Sequence, residues 1–268
     1  MSMIEFAKYQ SLENDFCIVG SRYSRFRWTT RRIAAFCHRR VGIGCDGLIV
    51  LGPPRSNGTR FRLYNADGSD AEWSGNGVRC AALFLVGSGR AAKVRLLTEV
   101  GPVELAVTPL GPGRSRVSFE RPLPVARPAL SRARRLTPNN TVGPIPVDAG
   151  NPHWIYIVPH FDFPWTDVGL VAQKLNRKTH GINVEFVRIL NRRCFQMRIY
   201  ERGVGPTPSS GSGALAAVAA CASQRIIDLS VRVLSPGGEQ VARVDRDLGT
   251  VRLTAVTHHV FTGVWESV

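Results

Sequence analysis

The sequence has 268 residues, of which 44% are hydrophobic, and its formal net charge at pH 7 is +15. This length allows one large domain or two lobes with separate cores, and the hydrophobic share is ordinary for a soluble globular protein. No apolar run approaches the roughly 18 residues of a membrane span, and the stretch MSMIEFAKYQ at the start, with its acidic Glu5, does not resemble a signal peptide.

The positive charge comes mainly from arginine, which accounts for 31 of the 35 basic residues. The arginines are spread along the chain with few aromatic residues among them, and no zinc-finger or RNA-binding motif accompanies them. We therefore expect an Arg-rich, solvated surface that attracts small anions, and no nucleic-acid or membrane partner.

The six cysteines form neither a CxxC pair nor any other metal-ligand spacing. Most lie in apolar surroundings, where a free cysteine behaves as a small core residue. This usage predicts free thiols, no bound metal and a reducing, cytoplasmic setting.

Short alternating or β-branched runs recur along the chain and are separated by Gly, Pro, Asn or Asp. Between and after them lie four segments with helical character. The predicted strands are residues 4–9, 16–19, 48–51, 60–64, 93–98, 102–107, 116–119, 145–147, 154–158, 184–189, 194–200, 231–234, 240–244, 251–254 and 260–264, and the predicted helices are residues 29–40, 77–86, 168–175 and 213–223.

Residues 121–144, which read RPLPVARPALSRARRLTPNNTVGP, are rich in Pro and Arg and have no apolar period, which is typical of a linker. We expect an N-terminal lobe over residues 1–120, completed by a C-terminal strand at 259–268, and a C-terminal lobe over residues 145–258. Each half contains several strands and then one Ser-Gly-x-Gly turn that opens an apolar helix. This weak duplication predicts two similar lobes, each with its own buried helix.

The two Ser-Gly turns occur in WSGNGVRCAALFLVG (residues 73–87) and VGPTPSSGSGALAAVAAC (residues 204–221). A helix N-terminus has unpaired N–H groups and a partial positive charge, and glycine lets a ligand approach the backbone closely. Tight strand-to-helix packing would also explain one such turn. Two copies, each preceded by a polar run, favour a site for a carboxylate or phosphate.

Six stretches, in this order, resemble the diaminopimelate epimerase family of cofactor-independent racemases, epimerases and isomerases. They are KYQSLENDF (8–16), GIGCDGLIVL (42–51), LYNADGSDAEWSGNGVRCAALFL (63–85), GNPHWIYIV (150–158), INVEFV (182–187) and YERGVGPTPSSGSGA (200–214). The resemblance implies an α+β fold of two similar lobes, each a curved, antiparallel, barrel-like sheet around a central helix. It also implies a small-molecule site in the cleft between the lobes, no cofactor, and homodimers as in many family members.

The resemblance breaks at the two catalytic cysteines of the family, which are replaced here by Ser74 and Ser210. An aliphatic hydroxyl is on the order of five pKa units less acidic than a thiol, so serine costs about 7 kcal/mol more to ionise, or roughly 10⁵-fold in rate. Neither Cys80 nor Cys221, which lie further along the two helices, stands at the missing position. We therefore expect the serines to cap helices or donate hydrogen bonds, and not to act as nucleophiles.

The catalytic candidates are Ser74, Ser210, His153 and Glu201, of which His153 and Glu201 match the family residues beside the two thiols and are the leading acid–base groups. Turn formation or surface ion pairing would also explain several of the polar residues that match substrate-binding positions. The predicted substrate-binding residues are Asn14, Asn65, Gly75, Asn76, Asn151, Asn183, Arg202, Gly211 and Ser212.

Further departures from the family pattern, at Ser11, Glu13 and Pro206, indicate natural divergence rather than engineering of the two thiols alone. The sequence therefore favours a repurposed isomerase or cyclase that acts on a small organic acid or secondary metabolite. The alternatives are a lyase or dehydratase, a non-catalytic small-ligand-binding protein, and an engineered Cys-to-Ser epimerase.

Overall fold

The computed structural model describes residues 2–71, 73–87, 89–129, 137–175 and 181–267. Residues 130–136 of the predicted linker and Glu72 of the LYNADGSDAEW stretch lie outside the described residues. The chain forms two compact units, here called the N-terminal unit (Met1–Glu120 and Thr254–Val268) and the C-terminal unit (Arg121–Leu253).

Before the linker, the N-terminal unit contains seven strands, two α-helices and a short 3-10 helix at Ser21–Tyr23. The strands and α-helices are β1 (Ser2–Ser11), β2 (Asn14–Val19), α1 (Thr30–Cys37), β3 (Gly47–Arg55), β4 (Gly58–Asn65), α2 (Gly75–Val86), β5 (Ala92–Thr98), β6 (Gly101–Gly111) and β7 (Arg114–Pro122). The last strand of the chain, β15 (Thr250–Ser267), pairs with β7 and with β1 and so closes these strands into a ring.

The C-terminal unit repeats this order. Its elements are β8 (Val142–Asp148), β9 (Pro152–Ile157), α3 (Trp165–Leu175), β10 (Asn183–Asn191), β11 (Cys194–Glu201), β12 (Gly205–Thr207), α4 (Gly211–Ser223), β13 (Ser230–Ser235) and β14 (Gly238–Asp245). Both units begin with an antiparallel pair followed by a parallel pair, since β2 is parallel to β3 and β9 is parallel to β10.

The second parallel pair also recurs, as β4 with β5 and as β11 with β13. Each parallel pair is joined by a connection that contains a helix, because parallel neighbours need a crossover longer than a hairpin. The predicted fold class, α+β with two similar lobes, is confirmed. The sheets are mixed rather than purely antiparallel, because each of the four helix-containing crossovers joins a parallel pair of strands.

The helices that follow the two Ser-Gly turns lie in the cores of their units. Helix α2 packs against β1, β2, β3, β5 and β6, and α4 packs against β8, β9 and β10. Every residue of α4 from Gly211 to Cys221 is buried. A helix surrounded on all sides needs small residues wherever strands approach closely, which explains the run ALAAVAAC.

Most predicted elements are present, with ends that differ by a few residues. The strands predicted at 251–254 and 260–264 are one continuous strand, β15, and β12 is an additional short strand. All six cysteines are free and buried. No helix among the described residues is long and apolar enough to cross a membrane, and no group of three or more His, Cys, Asp or Glu in that part of the chain is arranged to hold a metal ion.

Candidate active site

The two Ser-Gly turns have nearly the same backbone geometry. Ser74 is the N-cap of α2 with φ −143° and ψ 117°, and Ser210 is the N-cap of α4 with φ −143° and ψ 131°. Ser74 Oγ accepts from Gly77 N at 3.0 Å, and Ser210 Oγ accepts from Gly213 N at 3.1 Å. The prediction that the serines cap the helices is confirmed, because each hydroxyl oxygen satisfies one N–H group of the first turn.

The remaining residues of the turns are buried. Gly75 and Gly211 are the first helical residues, and Ser212, which is 9% exposed, lies with its Oγ 3.4 Å from Ser210 Oγ. Either serine hydroxyl can donate in this pair. The second turn is therefore lined by two hydroxyl groups close to the backbone of the helix N-terminus.

His153 is held between two polar side chains in the C-terminal unit. It lies on β9 and is 1% exposed, with Nδ1 2.8 Å from Glu185 Oε1 and Nε2 2.8 Å from Asn151 Oδ1. Glu185 lies on the adjacent parallel strand β10 and is fully buried. Strand pairing fixes this contact, since His153 is paired with Asn183, two residues before Glu185 on the same face.

Glu185 also lies against the second Ser-Gly turn. A Cβ atom added to Gly213 would be 2.5 Å from Glu185 Oε1 and 3.1 Å from Ser210 Cβ. The lack of a side chain at Gly213 thus leaves room for the Glu185 carboxylate beside the helix N-terminus. Glu185 was not predicted as a site residue, although an acidic residue inside the apolar run INVEFV was the signal that could have identified it.

Asn14 and Asn76 are brought together at the N-terminus of α2. Asn14 Nδ2 donates to Asp46 Oδ2 at 2.8 Å, and Asn76 Nδ2 donates to Asn14 Oδ1 at 3.4 Å. Asn76 Oδ1 in turn accepts from Arg79 Nη1 at 2.9 Å. Arg79 is fully buried in α2 above the Phe119 ring, and burial lowers the pKa of its guanidinium to about 9.

Two other predicted asparagines hold backbone segments in place. Asn65 Nδ2 donates to Ser69 Oγ at 2.9 Å within the turn after β4. Asn183 donates to Pro152 O at 3.3 Å and accepts from Arg202 N at 2.9 Å, so it links the start of β9 to the end of β11. These contacts fit the turn-forming explanation, and a role in binding substrate stays a prediction.

Glu201 and Arg202 lie where β11 ends. The Glu201 carbonyl oxygen accepts from Gln173 Nε2 at 2.8 Å, and the stem of Arg202 packs against Gly181. Both side chains are partly buried. Glu201 occupies the position in the C-terminal unit that Asn65 occupies in the N-terminal unit, at the end of the strand that precedes the Ser-Gly turn.

A charged network next to Asn14 was not predicted. Asp15 contacts Lys8 Nζ at 2.8 Å and Arg39 Nη2 at 2.8 Å, and Arg39 Nη2 reaches Asp46 Oδ1 at 2.7 Å. Burial opposes ionisation of Asp15, but the hydrogen bonds from Arg39 and Lys8 outweigh it and lower the pKa of the carboxyl. Lys8 and Asp15 are brought together by the antiparallel pairing of β1 with β2, whereas Arg39 and Asp46 lie in the segment between α1 and β3.

The buried cysteines of the two helices do not replace the missing thiols. Burial raises the pKa of Cys221 in α4 to about 12 and raises the pKa of Cys80 in α2 still further. A thiol with such a pKa is not a thiolate at neutral pH. The expectation that no other cysteine fills either position is consistent with this burial.

Comparison with known proteins places these features in a family. A sequence model described as "Diaminopimelate epimerase" matches residues 6–118 and 145–258. The chain belongs to the diaminopimelate epimerase family. The diaminopimelate epimerase of Halorhodospira halophila is 33% identical over 97% of this chain and 94% of that protein, and that of Coxiella burnetii is 32% identical over 98% of this chain and 99% of that protein.

Solved structures of this family fold resemble the chain throughout its length. A predicted epimerase from Pseudomonas aeruginosa has a TM-score of 0.75 at 14% identity, covering 99% of this chain and 100% of that one. A PhzF-family phenazine biosynthesis protein from Bacillus anthracis has a TM-score of 0.70 at 13% identity, covering 99% and 100%. A methylitaconate-Δ-isomerase has a TM-score of 0.57 at 12% identity, covering 98% and 95%. At these identities the likeness supports the fold alone.

Proposed function

We propose that this family member is an isomerase or cyclase that moves a proton within a small organic acid, and that it does not epimerise diaminopimelate. The observation that carries the proposal is the contrast between the two kinds of candidate group. Ser74 and Ser210 stand at the family's thiol positions and serve as helix caps. His153, in contrast, is held by side chains on both ring nitrogens.

The reaction that suits these groups is a proton transfer without net oxidation. An imidazole nitrogen removes a proton from a carbon that a neighbouring carbonyl or double bond makes acidic, and the proton returns to another atom of the same molecule. His153 and Glu201 are the proposed acid–base groups. Ser74 and Ser210 contribute through the backbone that they order, since an alkoxide would cost about 7 kcal/mol more to form than a thiolate.

A carboxylate of the substrate is expected at one of the two helix N-termini. Gly75 and Gly211 present backbone N–H groups there, and a helix N-terminus favours an anion by about 0.3–1 kcal/mol, or more where it is partly buried. At the N-terminus of α2, Asn76 in the helix and Asn14 at the start of β2 add amide groups beside Gly75. No cofactor is required by this chemistry.

The relatives are named diaminopimelate epimerase, so the competing expectation is that this protein epimerises diaminopimelate. One experiment distinguishes the two. The protein is incubated with L,L-diaminopimelate and with meso-diaminopimelate in D₂O, and ¹H NMR follows deuterium at the α-carbon. We expect no exchange above the buffer rate. Exchange at a rate typical of an enzyme would contradict the proposal and establish epimerase activity without thiols.

The positive test uses the same readout on a panel of small carboxylic acids that carry a carbonyl or double bond next to an acidic C–H. We expect one class to exchange deuterium or to rearrange, and His153→Gln to abolish the change while Ser74→Ala largely retains it. A panel member that binds to the protein with no exchange or rearrangement would favour the second candidate. That candidate is a ligand-binding protein without turnover, and the use of both serines as caps favours it.

A further inference from the structure

The two units align residue by residue around their Ser-Gly turns. In the N-terminal unit, Phe16 on β2 pairs with Gly47, two residues before Ile49, and Ile49 pairs with Leu63, eleven residues before Ser74. This chain of pairings fixes the position of Ile49 relative to the turn.

The C-terminal unit has the same spacing. His153 on β9 pairs with Asn183, two residues before Glu185, and Glu185 pairs with Ile199, eleven residues before Ser210. His153 therefore occupies the position of Phe16, and Glu185 occupies the position of Ile49.

The contacts at the third residue of each helix agree with this alignment. A Cβ added to Gly77 would meet Ile49 Cδ1 at 3.6 Å, and a Cβ added to Gly213 would meet Glu185 Oε1 at 2.5 Å. Each turn thus rests on the same strand position, with an apolar side chain in one unit and a carboxylate in the other.

The comparison shows that the fold itself accepts an apolar pair at these positions. Phe16 is 4% exposed and Ile49 is fully buried, so they form ordinary core. Glu185 is also fully buried, and among the described residues its Oε2 has no hydrogen-bond partner. A buried pair of this kind is often no more stable than an apolar replacement, so stability alone does not explain why the C-terminal unit has it.

We propose that Glu185 is a positioning residue for His153. Because the N-terminal unit has an apolar pair at the matching positions, the acid–base pair lies at the second Ser-Gly turn and not at the first. The Glu185 carboxylate accepts a hydrogen bond from Nδ1–H, which leaves Nε2 as the nitrogen that gains and loses the proton. The inference rests on the proposed function for the use of that proton. The positioning itself is a property of the resting protein and is tested without substrate.

Asn151 can serve both states of the ring. When Nε2 carries a hydrogen, Asn151 Oδ1 accepts it, as the 2.8 Å contact allows. When Nε2 has lost the hydrogen, rotation of the amide by 180° presents Nδ2–H as a donor to the same nitrogen. The side chain therefore satisfies Nε2 in either state of the resting protein, and this contact must open for Nε2 to exchange a proton with a substrate.

The first experiment is ¹H–¹⁵N NMR of the full-length protein with ¹⁵N-labelled histidine, in which His153→Gln assigns the His153 signals. We expect a slowly exchanging Nδ1–H resonance in the wild type, its loss in Glu185→Ala, and its retention in Glu185→Gln, whose Oε1 can still accept. An Nδ1–H signal that persists unchanged in Glu185→Ala would overturn the proposal.

Two matched substitutions test the same point without removing the carboxylate. Gly213→Ala places a methyl group 2.5 Å from Glu185 Oε1 and 3.1 Å from Ser210 Cβ. Gly77→Ala places the same methyl 3.2 Å from Ser74 Cβ and 3.6 Å from Ile49 Cδ1, so the two variants share the serine contact and differ at the strand residue. Replacement of glycine by alanine raises the intrinsic helix propensity by the same amount at both positions. We expect Gly213→Ala to shift or remove the Nδ1–H resonance and Gly77→Ala to preserve it. An equal response in the two variants would contradict the assignment.

A double variant tests whether the pair is needed for folding. His153→Phe with Glu185→Ile reproduces the Phe16 and Ile49 pair of the other unit, and we expect a thermal midpoint within about 3 °C of the wild type or above it. A much lower midpoint would show that the pair is structural and would overturn the proposal. If the NMR and stability results hold while no isomerase activity is found, the proposed function fails and the positioning role stands.

Discussion

At the scale of single residues, Ser74 and Ser210 differ from cysteine in one atom, an oxygen in place of sulfur. This change keeps the shape of the side chain and alters its acidity. Serine keeps the size of cysteine and exceeds it as an N-cap, because its oxygen accepts a short hydrogen bond from the third helical N–H group. It lacks the acidity that a carbon base requires. Relative to cysteine at the same position, serine therefore favours the helix terminus and cannot supply a thiolate.

Ser74→Ala and Ser210→Ala should each lower the free energy of unfolding by about 1 kcal/mol, since each leaves one N–H group of a first turn without its side-chain acceptor. Urea unfolding measures the change. Ser→Gly at the same positions is the control and should cost only a few tenths of a kcal/mol. With a true substrate, turnover should fall less than about 10-fold, and a loss beyond about 10³-fold in a folded variant would show that a hydroxyl carries chemistry.

Asp15 gives a prediction that depends on pH. The hydrogen bonds from Arg39 and Lys8 lower its pKa in the folded protein, so ionised Asp15 stabilises the fold above the unfolded pKa of about 4. That stabilisation is lost as the pH falls through the folded pKa. We expect Asp15→Asn to cost about 1–2 kcal/mol at pH 7, and the difference from wild type to shrink below about pH 4.

Urea unfolding at pH 7 and pH 3 measures this difference, and Asp162→Asn, at an exposed loop position, is the control with little effect at either pH. A cost of Asp15→Asn that is the same at both pH values would show that packing, and not the ion pairs, explains the substitution.

At the scale of elements, the helices illustrate what the sequence could predict. The Ser-Gly turns, the apolar composition of the helices and the short strands between Gly and Pro residues are local signals, and they indicated α2, α4 and most strands. The sequence pattern predicted two strands in place of β15, because Thr257, His258 and His259 interrupt the apolar pattern. Pairing with β1 and β7 holds that segment as one strand in the folded protein.

The candidate site was less predictable because its contacts are not local. His153 could be proposed from a family resemblance, but its partner Glu185 is 32 residues away and reaches it only through the parallel pairing of β9 with β10. In the Lys8, Asp15 and Arg39 network, Arg39 is 24 residues from Asp15 and reaches it from the segment between α1 and β3. Sequence patterns indicate which residues form strands, whereas the choice of neighbouring strand depends on the whole unit.

Helix α4 makes a prediction at this scale. Ala217 is fully buried and surrounded by strands, so Ala217→Leu adds three carbons to a filled core and should cost about 1–3 kcal/mol or more. Ala222, near the end of the same helix, is partly exposed, and Ala222→Leu is the matched control. Thermal unfolding of both variants measures the contrast. Equal effects would indicate that α4 is less tightly enclosed than its burial implies.

At the scale of the whole molecule, the N-terminal unit is built from both ends of the chain. Strand β1 pairs with β15 from Ser11 with Thr257 to Ser2 with Ser267, and this ladder completes the ring of strands in that unit. The pairing joins residues more than 240 positions apart. Each of these contacts requires the closure of a long loop, which carries an entropic cost.

Aromatic side chains reinforce this closure. The Trp265 ring lies 5.1 Å from the Phe36 ring, and the Phe261 ring lies 5.8 Å from the Phe6 ring, both edge to face. Such pairs contribute about 0.5–1.5 kcal/mol each beyond the area that they bury. The last strand therefore supplies both a hydrogen-bond ladder and part of the core of the N-terminal unit.

A variant that ends at Val256 should lose stability selectively. Without the β15 partners of β1, we expect amide hydrogens of β1 and β2 to exchange at least about 100-fold faster, which corresponds to about 3 kcal/mol, while those of β10 and β11 stay protected. Hydrogen–deuterium exchange with mass spectrometry on the truncated and full-length chains resolves the two units. Trp265→Ala provides an intermediate step, since it removes one aromatic contact and keeps the ladder. Uniform loss of protection in both units would show that they unfold together, and uniform retention would show that β1 does not depend on the closing strand.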